Sequence, residues 1–219
     1  MPDQQVQKPL KLYGMTYSGH SHRVELFLSI LGLPYEKVTI DPDTEAHHKP
    51  DFLALNPFGQ VPVIVDGEAV VFDSNAILVY LAKKYGDESW LPSEPVLNAS
   101  VQQWFSLAAG EIAFGPCAAR RLVVYGEELV PMSVAKRITT KLFETLEKRL
   151  EERQWAVGDR PTLADISAYS YIAHAPEGYI SLQPYPSIRA WLSRIEALPG
   201  YVPMPKAPLR AERNEFVTN

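Results

Sequence analysis

The run Tyr17-Ser18-Gly19-His20-Ser21-His22-Arg23 places two hydroxyls three positions apart. It lies between a short apolar segment, Leu10–Gly14, and an amphipathic one. Cysteines in place of the two serines, at a strand-to-helix turn, would make a C-x-x-C thiol redox motif. A serine hydroxyl cannot carry disulfide electrons. It can donate a hydrogen bond to an anion, and a helix N-terminus behind it adds unpaired backbone N–H groups that favour negative charge. Either serine can equally be a plain N-cap of the helix that starts near Gly19.

Asp73-Ser74 repeats this chemistry at the start of a second amphipathic run. A hydroxyl and exposed N–H groups there can hold an anion, or simply cap the helix. His47, His48 and Lys49 form a partly basic group, since an imidazole near its ordinary pKa of about 6.5 carries only part of a charge at neutral pH. No carboxylate or cysteine with ligand spacing accompanies them, so no metal site is expected. The lone Cys117 rules out an intramolecular disulfide framework and reads as a small buried hydrophobe rather than a catalyst.

The formal net charge of −5 gives no broad basic field for nucleic acid. No stretch approaches the roughly 18 apolar residues of a membrane helix. The polar start, Met1 to Leu10, lacks the apolar core of a signal peptide. A cytoplasmic protein with neither a nucleic-acid nor a membrane partner is the expectation.

Elements must bring these residues together. Leu10–Gly14 reads as a strand, and Val24, Phe27, Leu28 and Leu31 follow the i, i+3, i+4, i+7 template of a helix ending at Gly32. Tyr35–Ile40 alternates like a strand, residues around Phe52 suggest a short irregular helix, and Val61–Asp73 reads as a hairpin about Asp66-Gly67. Ser74–Gly86 is a strong amphipathic helix. After a proline-containing linker no strand is predicted. A long helix from Val96 should bend or break at Gly115-Pro116. Helices over Ser133–Arg153, Thr162–Ala175 and Ser187–Leu198 follow, the second opened by a Thr162-x-x-Asp165 capping pattern.

Three motifs carry a family resemblance: Asn56-Pro57-Phe58-Gly59-Gln60-Val61-Pro62, Asp73-Ser74-x-Ala76-Ile77, and Gly158 to Ile166, which reads GDRPTLADI. Through them the chain resembles the soluble glutathione transferases over roughly Leu10 to Pro205, and it looks most like phi-type and related bacterial members that use an active-site serine. The resemblance implies an α/β thioredoxin-like domain (residues 9–86) that binds glutathione, a linker (87–95), an all-α helical-bundle domain (96–204) that supplies the electrophile site, and an irregular tail (205–219). It makes Ser18 the catalytic residue, donating to the sulfur of glutathione, and leaves Ser21 as a helix cap. His20 then lines the entrance or is solvated rather than acting as a base.

The same resemblance implies a cis bond before Pro62, with the Val61 backbone pairing to glutathione as an added strand. Gln60 would bind the tripeptide backbone, Ser74 the γ-glutamyl carboxylate and Asp73 its ammonium, although many relatives carry Glu at that position. His47 and His48 would meet the glycine carboxylate. Tyr17, Ile112, Phe114, Arg121 and Tyr125 would wall the site of a hydrophobic electrophile. Glutathione is a cosubstrate and no tightly bound cofactor is implied. A homodimer is, through the Ser74 helix and the long helix after the linker, with Phe58 as an anchor. Two alternatives remain at this point: an isomerase, dehalogenase or peroxidase using the same site, and a non-catalytic binding or assembly protein. A disulfide reductase is disfavoured, because Ser18 cannot form a mixed disulfide.

Overall fold

A computed structural model of the chain describes residues 9–208. Residues 201–208 carry neither helix nor strand, and the rest of the expected tail and the first eight residues lie outside the described ones. The first domain runs β1 (Leu10–Gly14), α1 (Gly19–Ile30), β2 (Tyr35–Thr39), α2 (Pro50–Leu53), β3 (Val63–Asp66), β4 (Ala69–Phe72) and α3 (Ser74–Tyr85). The sheet order is β2-β1-β3-β4, with β2 parallel to β1, and β3 antiparallel to both β1 and β4. A crossover helix between parallel strands, then an antiparallel hairpin and a closing helix, is the thioredoxin-like arrangement. The hairpin turns on Gly67, which supplies the positive φ of 63° that a two-residue connection requires.

The second domain is helical: α4 (Pro95–Ala109), α5 (Ala118–Tyr125), α6 (Met132–Glu151), α7 (Leu163–Ala173) and α8 (Pro186–Glu196). The predicted long helix from Val96 is interrupted twice. It stops at Gly110, whose φ of −103° and ψ of −99° leave the helical region. It resumes through a π-helical turn, Ala113–Cys117, that contains Pro116. Proline has no N–H to give to the preceding turn, and the wider turn absorbs that loss. Thr162 and Asp165 form the predicted capping box, with Thr162 Oγ1 accepting from Ala164 N–H at 3.3 Å and the Asp165 carboxylate from Thr162 N–H at 2.9 Å. Asp165 also accepts from Ala156 N–H and Trp191 Nε1, both at 2.8 Å, so the cap pins α7 to α8.

One continuous core joins the domains. Leu12, Phe27, Ile77 and Leu81 of the first belong to the same buried cluster as Trp104, Ile166, Tyr171 and Trp191 of the second. Both α1 and α3 lie against α7. The start of α1 is therefore backed by the helical domain.

Candidate active site

Ser18 ends the loop after β1 and caps α1. Its backbone is extended (φ −84°, ψ 118°) and its Oγ accepts the N–H of Ser21 at 3.2 Å. A hydroxyl has one proton and two lone pairs. Capping therefore occupies a lone pair, fixes the side chain and leaves the proton free to donate outward. Ser21, expected as the cap, is not one. It lies inside the first turn, buried, and its hydroxyl receives the N–H of Met15 at 3.1 Å, tying the loop to the helix. The cap belongs to the residue just before the first helical one, with extended backbone, and that residue is Ser18.

Two histidines flank this turn. His20 is half-buried, edge-on to Tyr171 with ring centres 4.9 Å apart. Burial, then the charges of Arg23 and Arg121, push its pKa down to about 3. So weak a base takes no proton at neutral pH. His22 is a structural tie: Nε2 donates to the Val202 carbonyl at 2.8 Å, which leaves Nδ1 to accept from the Ser170 hydroxyl at 2.9 Å.

Arg23 links Ser18's helix to Ser74. Its guanidinium is buried, and Nη1 donates to Ser74 Oγ at 2.7 Å and to Asn75 Oδ1 at 3.1 Å, while Nε and Nη2 have no hydrogen-bond partner among the described residues. Burial lowers its pKa to about 10, so the cation persists. The Asn75 oxygen also accepts from Ser167 of α7 at 2.7 Å. Ser74 is thus oriented by Arg23, which Asn75 ties on to Ser167 of α7, and its hydroxyl also meets His20 Nδ1 at 3.4 Å. Asp73 has φ 67° and ψ 123°, an unusual backbone for a side-chain-bearing residue, and its carboxylate accepts from Asn75 and Ala76 N–H at 2.9 Å each. It caps α3 and remains exposed beside a cleft of about 370 Å³ between α3 and α4.

The loop before β3 is built by Asn56. Its Nδ2 donates to the Gln60 carbonyl at 2.7 Å and its Oδ1 accepts from Phe58 N–H at 3.1 Å, while the Gln60 side chain stays exposed. The Val61–Pro62 bond is cis, as the resemblance implies. Gly59 has φ 62°, and a Cβ there would come within 2.8 Å of His48 Nδ1. The glycine therefore lets the His47–His48 loop close against residue 59. The two imidazoles lie 4.0 Å apart, and burial followed by the neighbouring His48 lowers the pKa of His47.

Of the residues expected to wall an electrophile site, Ile112 has no accessible surface and sits in the common core. It presents nothing to a second substrate, because the turn after Gly110 points it inward. Phe114 is exposed, Arg121 pairs with Glu127, and Tyr125 donates its hydroxyl to the carbonyl of Tyr17 at 3.0 Å. Arg120, the other half of the Arg120-Arg121 pair, was missed from sequence. It is buried, donates from Nη1 to the same carbonyl at 2.8 Å and pairs through Nε with Glu177 at 2.9 Å. An arginine pair on an apolar helix was the available signal, but not which member turned inward. Tyr171 was missed as well. A Cβ on Gly19 would lie 2.8 Å from its ring, so the first helical residue must be small for α1 to seat.

The assembled site has a free hydroxyl proton at a helix N-terminus, a second oriented hydroxyl at another, and a loop of Gln60 and imidazoles alongside. Hydroxyls at two helix N-termini suit an anionic ligand. The family model "Glutathione S-transferase, N-terminal domain" matches residues 8–83, and "Glutathione S-transferase, C-terminal domain" matches residues 126–199. Glutathione S-transferase 3 of Zea mays is 33% identical, over 91% of this chain and 97% of that protein. The disulfide-bond oxidoreductase YfcG of Escherichia coli K12 is 30% identical, over 90% and 95%. The crystal structure of a glutathione S-transferase from Pseudomonas fluorescens Pf-5 matches with a TM-score of 0.83 at 33% identity, over 90% of this chain and 99% of that one. The chain belongs to the cytosolic-type glutathione S-transferase family and is a glutathione S-transferase, a thioredoxin-like domain followed by a helical one.

Proposed function

We propose that the protein conjugates glutathione to hydrophobic electrophiles, with the Ser18 hydroxyl donating to the glutathione sulfur and holding it as thiolate. The observation that carries this reading is the cap geometry, in which Ser18 Oγ accepts from Ser21 and keeps its proton for a group in front of α1. A free thiol has a pKa of about 8.5, and the thiolate is the reactive form. Each pH unit by which the site lowers that value is worth about 1.4 kcal/mol and up to tenfold in thiolate at neutral pH. The thiol proton leaves to solvent. The sulfur then forms a bond to the electrophilic carbon while the leaving group departs with its electron pair. Ser18 forms no covalent bond, so catalysis is positioning and electrostatics.

In this reading Ser74, oriented by Arg23, donates to the γ-glutamyl carboxylate, and Asp73 faces the ammonium. The Val61-Pro62 backbone and Gln60 line the peptide, and His47 and His48 stand at the glycine end. Tyr17, Phe114, Arg121 and Tyr125 form the electrophile wall. The protein works in the cytoplasm as a homodimer joined through α3 and α4, with the exposed Phe58 as anchor. The intact Gln60, Val61-Pro62 and Asp73-Ser74 set supports catalysis over a purely assembling role.

The experiment is Ser18→Ala, assayed with an aryl halide. Glutathione binding should persist while turnover falls by about tenfold or more. Unchanged turnover with an unchanged pH–rate profile would sink the serine mechanism.

The YfcG relative favours a second reading, glutathione-dependent disulfide exchange. No protein cysteine is needed: the thiolate of bound glutathione attacks a disulfide, one S–S bond forms as another breaks, and a thiolate leaves. Cys117, buried and with its pKa raised by burial, takes no part. Faster glutathione turnover on a small disulfide than on aryl or alkyl halides would favour exchange over conjugation.

A further inference from the structure

We propose that Arg120 and Tyr125 are positioning residues for Ser18, acting from the helical domain through the Tyr17 carbonyl that both of them hold; this rests on the reading of Ser18 as the group that faces the sulfur. The Tyr17–Ser18 peptide is planar, so the carbonyl of Tyr17 and the N–H of Ser18 move as one rigid unit. The N–H end donates to the Met15 carbonyl at 3.2 Å. The carbonyl end accepts from Arg120 Nη1 at 2.8 Å and from the Tyr125 hydroxyl at 3.0 Å, which occupies both of its lone pairs. The plane cannot rotate without losing three hydrogen bonds, and its orientation aims the Cα–Cβ bond of Ser18. Residues 15–18 form no helix or strand of their own, so these bonds hold the Tyr17–Ser18 peptide while the cap bond from Ser21 N–H holds the Ser18 side chain.

Arg120 is held in turn. Its Nε pairs with Glu177 Oε2 at 2.9 Å, and Glu177 Oε1 accepts from His174 Nδ1 at 2.6 Å. The segment carrying Glu177, Ala175–Gly178, is pressed onto α5: a Cβ on Gly178 would stand 2.7 Å from Arg120 N and 2.9 Å from Ala119 C. A buried guanidinium needs such a partner, because an unpaired charge there is costly. The contacts therefore run from His174 through Glu177 and Arg120 to the Tyr17 carbonyl and Ser18. The helical domain contributes to thiol activation as well as to the electrophile wall. A hydroxyl donor stabilises a thiolate only when held within a few tenths of an ångström of the productive place.

The test is an ultraviolet titration of thiolate in the binary glutathione complex, made on the whole protein. It compares wild type, Tyr125→Phe, Arg120→Lys, Ser18→Ala and the Tyr125→Phe/Ser18→Ala double variant. Tyr125→Phe keeps the ring and removes one donor, so it remains informative if Arg120→Lys does not fold. The expected result is a rise of about half to one pH unit in the thiol pKa for Tyr125→Phe, with a loss of about three- to tenfold in kcat/KM at neutral pH that is recovered at high pH. Glutathione Kd should stay within about twofold, and Tyr125→Phe should add no shift once Ser18 is alanine. A purely structural role would lower thermal stability and leave the thiol pKa in place. If Ser18→Ala raises that pKa and Tyr125→Phe does not, the positioning role is overturned and the serine mechanism stands. If the two shifts add in the double variant, Tyr125 acts on the thiol directly, and the proposal is also overturned. No shift in Ser18→Ala would remove the serine mechanism itself, and the positioning of Ser18 with it.

Discussion

At the scale of single residues, the two serines of Tyr17–Arg23 have different tasks. Ser18 accepts from the helix and keeps its proton, whereas the buried Ser21 hydroxyl receives Met15 N–H and belongs to the loop. Ser21→Ala should therefore destabilise the protein by about 1–3 kcal/mol, the cost of leaving that N–H unpaired. Urea unfolding measures it, and a change near zero would show that water replaces the bond. A serine pair read as letters offers the same two options at both positions. Only the backbone angles of Ser18 and the burial of Ser21 separate them. His20 shows the same limit, since its charge state depends on burial and on Arg121 of α5 as well as on Arg23 of its own helix.

At the scale of elements, most boundaries were legible because local periodicity and local caps set them. β1, β2, the hairpin and α3 fall where alternation and the i, i+3, i+4 pattern put them. The sequence pattern puts the break in the first long helix at Gly115-Pro116, whereas the chain leaves the helix at Gly110 and passes the proline in a π turn. Gly115 fits there because a Cβ would lie 2.9 Å from Thr139 Oγ1 of α6, a contact that no local pattern encodes. The hairpin is joined to α3 by Asp66, a buried carboxylate that accepts from Tyr80 at 2.7 Å, Tyr85 at 2.6 Å and Lys84. Burial opposes its ionisation, but the three donors outweigh burial and its folded pKa is lowered. A lowered carboxylate pKa adds stability above the unfolded value of about 3.9, and that stability is lost as the pH falls through the folded value. Asp66→Asn should be less stable than wild type at neutral pH, with the gap narrowing below about pH 4. Melting curves across that range check the sign, and a gap that stays constant would remove Asp66 from the acid response.

At the scale of the whole molecule, the two domains share a core and several polar ties, so their relative placement is part of the site. Arg23 connects α1 to α3, Asn75 passes that contact to Ser167 of α7, and Arg120 reaches from α5 to the loop before α1. Outside this core, Phe58 and Phe72 form an exposed aromatic pair 5.9 Å apart, and Val96 and Leu97 are exposed at the start of α4. Exposed apolar surface of this kind suits an interface with a second copy. Phe58→Ser should shift the protein from dimer to monomer in sedimentation at micromolar concentration. A wild type that sediments as a monomer, or a variant that stays dimeric, would remove Phe58 as the anchor.

The sequence by itself determined the two-domain order, the strand and helix types, the capping box at Thr162 and the glutathione motifs. All of these are written in residues close together in the chain, where periodicity, turn chemistry and capping operate over a few positions. Read alone, it puts the α1 cap at Ser21, Ile112 in the electrophile wall and no role on Arg120, whereas the structure caps α1 with Ser18, buries Ile112 in the core and turns Arg120 inward. Those choices rest on partners about a hundred positions away for Arg120 and Tyr125, or on the burial of one helix face against another. Tertiary structure settled them because a buried hydrogen bond or charge pair takes its partner from whatever the fold brings near, and sequence distance carries no record of that.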